Sequence, residues 1–414
     1  MSISVLRAGT LTAARLYRTH DLPANRATGL ITACDKRYTH KENPDMQLRG
    51  VKYVATVGGA AAVALLAACS SGSSSSTSST GATSAPAATS SSAAAAASGT
   101  LNGAGSTFQL TFQQAAISAY KSTASGVTVN YDGVGSGSGR ADLYAGTVNY
   151  AGSDSTIPSK EESKLNGRKV LYFPVLIGPI DVAYNLPGIS NLKLSPKVIS
   201  DIFQAKVTTW NASEIKSINP GVNLPSTPIT LAVRSDSSGT TQNFTLFLQD
   251  AVGSAWALGS SSTVKWPSTA HAAAGNGGVA TTIKSTAGAI GYVDFSTAKA
   301  SNLTGASVQN KAGQFVAPST TAASAAAAGV TIKPDLTFHA VWDSSDPSAY
   351  PITYQSWDIV YATQPNATDA SLLKAYLGFL LGQQGQALLA PLNYAPLPSN
   401  IDSMATAQLS QITS

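Results

Sequence analysis

The chain is organised around residues 233–241, which read Val233-Arg234-Ser235-Asp236-Ser237-Ser238-Gly239-Thr240-Thr241. This stretch predicts the end of a strand, a tight polar turn and the start of a helix with an apolar face. Ser238 and Thr240 are residue types that cap helices, and Gly239 allows close approach of the backbone. Because the first N–H groups of a helix are unpaired and carry partial positive charge, the turn suits an anion.

Two charged residues in the same turn strengthen this interpretation. The guanidinium of Arg234 is a planar fork of donors that matches an oxyanion, and Asp236 is spaced to hold that fork in place. Taken alone, the pattern also describes an ordinary capped helix beside a surface ion pair. Two more turns of the same kind favour the anion site.

The first of these turns follows the glycine-rich residues 101–106, where Thr107 is a candidate cap for a helix predicted to run to about residue 121. The second turn follows a predicted strand at residues 127–131. There a glycine loop contains Ser136 and leads into a helix predicted from about Arg140. A strand, a glycine loop and a helix together offer backbone N–H groups to an oxyanion. The spacing matches neither a dinucleotide fingerprint nor a Walker A loop, so it does not favour a nucleotide.

A carboxylate and two apolar runs complete the pattern. Residues 148–154 predict a short strand that ends at Asp154, which is either a turn former or an acceptor for a proton on a bound ligand. Residues 170–177 and 180–185 predict a buried pair of strands in an α/β sheet. Short helices are predicted near residues 194–203, 279–284, 318–330 and 370–381.

The charge of the chain is concentrated at its beginning. The formal net charge is +5, and the whole surplus lies within residues 1–52. The remainder carries equal numbers of acidic and basic residues, so nothing there supports nucleic-acid binding, which would need a clustered basic face.

This basic segment predicts export. Arg49 and Lys52 precede an uncharged apolar run at residues 54–68, which is short for a membrane span and is followed by Cys69. The ending Leu-Ala-Ala-Cys resembles the lipobox of bacterial lipoproteins, which implies a signal peptide at residues 46–68 and lipidation of Cys69. An uncleaved anchor is the alternative. Either way, we expect an extracytoplasmic protein tied to the cell membrane.

The flanking segments lack the pattern of a fold. Residues 1–45 do not fit a signal peptide, and we interpret them as an extension upstream of a true start at Met46, with a genuine cytoplasmic segment as the alternative. Residues 69–99 are rich in Ser and Ala and predict a flexible tether. The globular part is expected to begin near Thr100.

The residues of the mature part do not support catalysis. After processing only Cys69 remains among the cysteines, and His271 and His339 lack metal-ligand spacing. Ser136, Asp154 and Ser238 have no histidine partner in the pattern, and the G-x-S-x-G elbow of serine hydrolases does not occur. We therefore predict no catalytic residues, no metal and no cofactor.

Seven motifs occur in an order that is typical of a known family. They are Gly-Ala-Gly-Ser-Thr-Phe at 103–108, Asn-Tyr-Asp-Gly-Val-Gly-Ser at 130–136, Ala-Gly-Ser-Asp at 151–154, Val-Arg-Ser-Asp-Ser-Ser-Gly-Thr at 233–240, Thr-Val-Lys-Trp-Pro at 263–267, Gly-Ala-Ile-Gly-Tyr-Val at 288–293 and Tyr-Pro-Ile-Thr at 350–353. Together they resemble the phosphate-binding proteins of bacterial phosphate ABC transporters, the PstS family, over residues 101–400.

The resemblance implies a two-lobe α/β periplasmic-binding-protein fold of type II, with chain crossings near Ile177 and Trp357. Lobe I would comprise residues 100–177 and 358–414, and lobe II residues 178–357. Phosphate would be held in the cleft between them, and the carboxylate of Asp236 would pair with Arg234. The implied ligand residues are Thr107, Phe108 through its backbone N–H, Ser136, Asp154, Arg234, Ser238, Gly239 and Thr240. Ser106 stands where Ala is common in the family.

The expected function is capture of inorganic phosphate and its delivery to a membrane permease by a monomeric binding protein. Phosphate keeps a proton at neutral pH, and Asp154 can accept it, whereas fully ionised sulfate would meet only repulsion there. The alternatives are a binding protein for another oxyanion such as sulfate or molybdate, a phosphate sensor, and a phosphatase-like enzyme.

Overall fold

The computed structural model describes residues 98–339, 342 and 344–414. The predicted extension, signal peptide, lipidated Cys69 and nearly all of the tether lie outside the described residues. The strands are β1 (Gly99–Gly105), β2 (Val127–Asp132), β3 (Tyr150–Ser153), β4 (Val170–Tyr184), β5 (Lys193–Leu194), β6 (Thr230–Arg234), β7 (His271–Ala273), β8 (Ala289–Asp294), β9 (Thr304–Gly305), β10 (Ser307–Gln309), β11 (Phe315–Val316) and β12 (Thr353–Tyr361).

Helices cover these strands and connect them. They are α1 (Leu110–Thr123), α2 (Ser136–Ala145), α3 (Pro196–Phe203), α4 (Ser213–Ser217), α5 (Gly239–Val252), α6 (Gly275–Ser285), α7 (Phe295–Ala300), α8 (Thr320–Ala327), α9 (Ala367–Leu381), α10 (Gln383–Gln386) and α11 (Ser399–Gln408). In the part of the chain that the structure describes, no helix combines the length and the apolar character needed to cross a membrane.

The strands form one large sheet, whose strand order is called the long path below, and one small sheet. The long path has nine strands, ordered β2-β1-β3-β12-β4-β8-β6-β7, with β9 paired to β4. The small sheet has the order β11-β10-β5. The long path therefore has β4 near its middle, and the strands on either side of it come from different parts of the chain.

β4 differs from its prediction. Residues 170–185 were expected to form two strands, but they form a single strand of 15 residues that is buried beyond its first position. Pro179 is tolerated because pairing with β12 ends there, and pairing with β8 begins at Ile180. We call the part built on β1, β2, β3, β12 and residues 170–179 lobe I, and the part built on residues 180–184, β6, β7, β8 and β9 lobe II.

Parallel pairing directs the ends of several strands towards the other lobe. In lobe I, β1 is parallel to β2 and β3, and in lobe II, β6 is parallel to β7 and β8. Ligands of open α/β sheets bind outside the carboxyl ends of such strands. The residues that follow β1, β3 and β6 are therefore the ones that the fold brings to a common cleft.

The helix starts in this cleft agree only in part with the sequence prediction. α5 begins at Gly239, and its predicted cap Ser238 accepts a hydrogen bond from the N–H of Thr241 at 3.1 Å. α1 begins at Leu110, so the prediction that Thr107 caps a helix was wrong. The turn before α1 is closed instead by Ser106, whose Oγ accepts from the N–H of Phe108 at 3.0 Å. α2 begins at Ser136 rather than at Arg140.

A buried carboxyl in lobe I makes stability depend on pH. Asp358 on β12 is fully buried and accepts hydrogen bonds from Nε2 of Gln113 at 3.1 and 3.3 Å. Burial raises the pKa of the Asp358 carboxyl to about 7, against the lowering effect of hydrogen bonds from Gln113 and Gln109. Such a group binds its proton more tightly in the folded chain than in the unfolded chain. Its stabilising effect is therefore complete below the pKa that it has in the unfolded chain, and it is lost as pH rises through the pKa that it has in the folded chain.

We expect Asp358→Asn to reduce the loss of stability that accompanies rising pH, because Asn resembles the protonated carboxyl and carries no charge at any pH. The free energy of unfolding of the unchanged protein should fall more steeply than that of the variant between about pH 4 and pH 7, by up to about 1.4 kcal/mol per pH unit. Denaturant unfolding at a series of pH values measures this difference. Asp132→Asn, which changes an exposed carboxyl at the end of β2, is the control, and equal slopes for Asp358→Asn and the unchanged protein would contradict the prediction.

Candidate anion-binding site

The predicted site residues come together between the two lobes. Lobe I contributes Thr107 after β1, Ser136 at the start of α2 and Asp154 after β3. Lobe II contributes Arg234 at the end of β6 and the first residues of α5. The lobes are in contact here, since the N–H of Gly137 donates to the carbonyl of Ser237 at 3.0 Å.

Asp154 is the central acidic group of this site. Its side chain is buried, and its Oδ1 accepts hydrogen bonds from Oγ of Ser106 and Oγ of Ser356, both at 2.5 Å. Its backbone carbonyl accepts from Nδ2 of Asn243 in lobe II at 2.7 Å. Burial raises the pKa of the Asp154 carboxyl, while the serine hydroxyls and the charge of Arg234 oppose this effect.

Arg234 supplies positive charge opposite this carboxylate. Its Nε donates to Oδ1 of Asp236 at 2.8 Å, and its Nη2 donates to Oδ2 of the same residue. Burial disfavours the charged form of Asp236, but the hydrogen bonds and the charge of Arg234 outweigh it and lower the pKa of that carboxyl. Asp236 also accepts from the N–H of Gly275 at 3.1 Å. The Arg234 guanidinium is thus held by two bonds, and its Nη1 extends towards Oγ1 of Thr240 at 3.5 Å.

The first residue of α5 lies against lobe I. A Cβ atom on Gly239 would lie 2.6 Å from both Cβ and Oδ2 of Asp154, and it would also overlap Oγ of Ser136. Glycine is required at this position by close approach rather than by a positive φ. The N-terminus of α5 therefore reaches the carboxylate and the hydroxyl that lobe I supplies.

Ser136 begins α2 on the opposite side. The preceding Gly135 has φ of 92°, a conformation that favours glycine and that turns the chain into the helix. Oγ of Ser136 accepts from the N–H of Asp154 at 3.2 Å and lies 3.3 Å from Oδ2 of the same residue. Two helix N-termini, one from each lobe, thus flank Asp154, which favours the binding of an anion.

Thr107 and Thr240 have hydroxyl groups whose hydrogens are available for a ligand. Oγ1 of Thr107 accepts from both N and Nδ2 of Asn276, at 3.3 and 3.1 Å. Oγ1 of Thr240 accepts from Nδ2 of Asn276 at 3.4 Å. Since each hydroxyl has one hydrogen and already accepts, each can donate to an anion. Asn276 also links the lobes, because Thr107 belongs to lobe I and Thr240 to lobe II.

The backbone N–H of Phe108, which was expected to bind a ligand, donates to a neighbouring residue instead. Its N–H donates to Oγ of Ser106, and its ring is buried in a stacked contact with Tyr354, with ring centroids 4.2 Å apart. The structure therefore brings Phe108 to the site but pairs its N–H within the chain.

Four residues of the site were not predicted from the sequence. Ser356 and Asn276 contact Asp154 and Thr107 across 202 and 169 residues of sequence. Ser106 was noted only as a departure from the family pattern. Arg140 is fully buried and donates to Oγ of Ser153 and Oγ of Ser155, both at 3.1 Å, which holds the turn that carries Asp154.

The charge of Arg140 is balanced outside the site. Its Nε donates to Oε2 of Glu161 at 3.0 Å, and Tyr144 donates to the same oxygen. Within the described residues, no group of His, Cys, Asp or Glu side chains is arranged to hold a metal ion. The site is thus a set of hydroxyl, amide and guanidinium donors around one buried carboxylate.

The close approach of α5 to Asp154 gives a direct test of the geometry. We expect Gly239→Ala to destabilise the contact between the lobes by about 1–3 kcal/mol, because the added methyl overlaps Asp154 and Ser136. Thermal unfolding measures the loss, and small-angle X-ray scattering measures the separation of the lobes. Gly277→Ala is a matched control in the first turn of α6, where an added Cβ meets no atom within 4 Å. Equal effects of the two substitutions would contradict the assigned packing.

The sequence of this chain is similar to those of known proteins. The family model described as a PBP superfamily domain matches residues 90–384. The chain is 35% identical over 316 residues to the phosphate-binding protein PstS of Pasteurella multocida (strain Pm70), covering 75% of this chain and 89% of the relative. It is 33% identical over 313 residues to the phosphate-binding protein PstS 3 of Mycobacterium leprae (strain TN), covering 73% and 84%.

Solved structures show the same architecture. The crystal structure of a high affinity periplasmic phosphate-binding protein, PfluDING, bound with phosphate, has a TM-score of 0.63 at 22% identity and covers 75% of this chain and 94% of its own. A phosphate-binding protein from Stenotrophomonas maltophilia has a TM-score of 0.60 at 19% identity, with coverage of 75% and 94%. At these identities the likeness concerns the fold, and the predicted two-lobe α/β fold of type II is confirmed. The family model and the sequence matches show that the chain belongs to the PBP superfamily and, within it, to the PstS family of phosphate-binding proteins.

Proposed function

We propose that this protein binds inorganic phosphate in the cleft between its lobes and passes it to the membrane permease of an ABC importer. The family supports this function, and the observation that carries it is the arrangement around Asp154. The proposed ligand residues are Thr107, Phe108, Ser136, Asp154, Arg234, Ser238, Gly239 and Thr240, with Asp236 holding Arg234.

The donors of the cleft outnumber its acceptors, as a phosphate site requires. The hydroxyls of Thr107 and Thr240 each have one hydrogen to donate, and the Arg234 guanidinium has an Nη1 that is not bound to Asp236. The N-termini of α2 and α5 add partial positive charge without adding a formal one. Asp154 then provides the single acceptor for a proton on the anion.

Asp154 favours phosphate over the other tetrahedral oxyanions that the sequence left open. Phosphate at neutral pH has a proton to donate to this carboxylate, while sulfate has none and is repelled. The same argument applies to molybdate. In its ionised form, Asp154 therefore supports phosphate as the ligand rather than either alternative.

We expect Asp154→Asn to weaken phosphate binding by about tenfold or more, because a hydrogen bond to a charged group is lost. The same substitution should strengthen sulfate binding, since the repulsive charge is gone and the amide donates. Calorimetric titration of the full-length protein with phosphate and then with sulfate measures both effects. Asp132→Asn keeps the site and serves as the control. Unchanged selectivity in Asp154→Asn would remove Asp154 from this role, and failure of the unchanged protein to bind phosphate would disprove the function.

Release of the ligand to a permease requires the lobes to separate. The hydrogen bonds from Gly137 to Ser237 and from Asn243 to Asp154 join the lobes directly. Opening about β4 and β12 would break these bonds and expose the ligand, a hinge motion that binding proteins use. From the pairing of β4 we propose lobe limits at residues 100–179 plus 353–414 and 180–352, a few residues from the predicted crossings at Ile177 and Trp357.

Anchoring of the protein to the outer face of the membrane is part of this proposal. Its support is the sequence Leu66-Ala67-Ala68-Cys69 after a short apolar run, with a signal peptide at residues 46–68 and a tether at residues 69–99. The extracytoplasmic location agrees with the family. We further propose that the protein acts as a monomer, that it is not an enzyme, and that translation starts at Met46.

We expect Cys69→Ala to move the protein from the membrane fraction to the soluble extracytoplasmic fraction, because the thiol that carries the lipid is gone. Fractionation and metabolic labelling with palmitate measure the two effects. Ser70→Ala is the matched control in the same segment. Retention of Cys69→Ala in the membrane would favour the uncleaved anchor, and peptides from residues 1–45 in cells would contradict the start at Met46.

A further inference from the structure

The two carboxylate oxygens of Asp154 have different surroundings. Oδ1 accepts from the hydroxyls of Ser106 and Ser356, which both belong to lobe I. Oδ2 accepts a longer bond from Oγ of Ser136 at 3.3 Å and faces the first turn of α5, where Gly239 leaves space for it. Oδ1 is therefore held by two short bonds within lobe I, whereas Oδ2 accepts one longer bond from lobe I and also faces lobe II.

The hydrogens of the two serine hydroxyls point at Asp154 because of what their oxygens accept. Oγ of Ser106 accepts from the N–H of Phe108 at 3.0 Å. Oγ of Ser356 accepts from Nε2 of Gln109 at 2.8 Å. A hydroxyl has a single hydrogen to give. Both hydroxyls therefore donate to Oδ1, and this requires that Oδ1 carries no proton.

The amide of Gln109 is itself oriented by a chain of hydrogen bonds. Its Oε1 accepts from Nε2 of Gln113 at 3.0 Å. Oε1 of Gln113 accepts in turn from the hydroxyl of Tyr376 on α9 at 2.8 Å. Every bond in this chain, from Tyr376 through Gln113, Gln109 and Ser356 to Asp154, runs in the same direction from donor to acceptor. Bonds in such a chain polarise one another, which strengthens the last one.

We propose that Ser106 and Ser356 are positioning residues that keep Asp154 unprotonated and reserve its Oδ2 as an acceptor, so that the cleft selects a tetrahedral oxyanion that still carries a proton. This proposal rests on the proposed function and deepens it, since it names the two residues that set the charge state of the acceptor Asp154. The selectivity then depends on the two hydroxyls that are bonded to Oδ1 as well as on Asp154 itself.

Other groups that face Asp154 act in both directions on its charge. Arg234 from lobe II favours the ionised form of Asp154, and the charge of Asp154 is one of the effects that raise the pKa of Asp294 at the end of β8, after its burial. The phenols of Tyr131, Tyr354 and Tyr394 lie near enough for Asp154 to raise their pKa values, and His339 lines the same small cavity. After burial, which raises the pKa of Asp154, the hydrogen bonds from Ser106 and Ser356 are the largest effects and lower it. Removal of either hydroxyl therefore favours the protonated carboxyl.

The test compares Ser356→Ala and Ser106→Ala with the unchanged full-length protein. Calorimetric titrations with inorganic phosphate and with sulfate, from about pH 5 to about pH 8, give the affinity for each anion. We expect phosphate affinity at the acidic end to fall on the order of tenfold in each variant. The pH at which phosphate affinity declines should rise by about one unit. The preference for phosphate over sulfate should fall on the order of tenfold, because protonated Asp154 no longer repels sulfate.

Two control variants separate this role from a merely structural one. Ser356→Thr retains the hydroxyl and should keep the pH profile and the selectivity of the unchanged protein. Thr353→Val removes another buried hydroxyl of β12, which donates to the carbonyl of Tyr350 at 2.8 Å and does not contact Asp154. It should leave the pH profile in place even if it lowers thermal stability.

The outcomes are distinguishable. Variants that fold and keep the original pH profile and selectivity would overturn the proposal, as would a uniform loss of affinity for both anions with no shift in the profile. If Ser356→Ala does not fold, Ser106→Ala alone decides by the same criteria. Absence of phosphate binding in the unchanged protein would instead overturn the proposed function.

Discussion

The structure depends on the burial of one carboxylate between two lobes. A charge taken out of water is costly unless donors surround it, and Asp154 is enclosed by the hydroxyls of Ser106 and Ser356, with Arg234 nearby. These groups come from four separate parts of the chain. Their convergence constrains the ends of β1, β3 and β6 and the middle of β12 to meet at one place.

The same constraint explains why glycine and small hydroxyl residues dominate the cleft. Two helices begin here, and each brings its N-terminus close to Asp154. A side chain on Gly239 would overlap Asp154, and the φ of 92° at Gly135 favours glycine. Serine and threonine add donors with little volume. In the proposed site, oriented dipoles and one arginine would balance the charge of a bound anion, and the formal charge of the site stays low.

Behind the cleft, lobe I contains an unusual amount of buried polar structure. Gln109 directly precedes α1 and Gln113 lies in its first turn, and the two side chains bond to each other, to β12 and to Tyr376 on α9. Such networks stabilise a fold only when each member is satisfied. One branch of this network runs in a single direction from Tyr376 to Asp154, so the network that organises the core of lobe I also orients the acceptor of the site.

The sequence alone was sufficient for the local features. The cap at Ser238, the placement of Asp154 after a strand and the pair formed by Arg234 and Asp236 all depend on residues within a few positions of each other, and the ordered motifs identified the family. The contacts of Ser356 with Asp154 and of Asn276 with Thr107 span 202 and 169 residues. Nothing local distinguishes these side chains, and the length of β4 was also misjudged because its change of partner at Pro179 is a property of the sheet. The tertiary structure decided these contacts and the length of β4, because only the folded chain determines which strands pair and which hydroxyl or amide faces a buried charge.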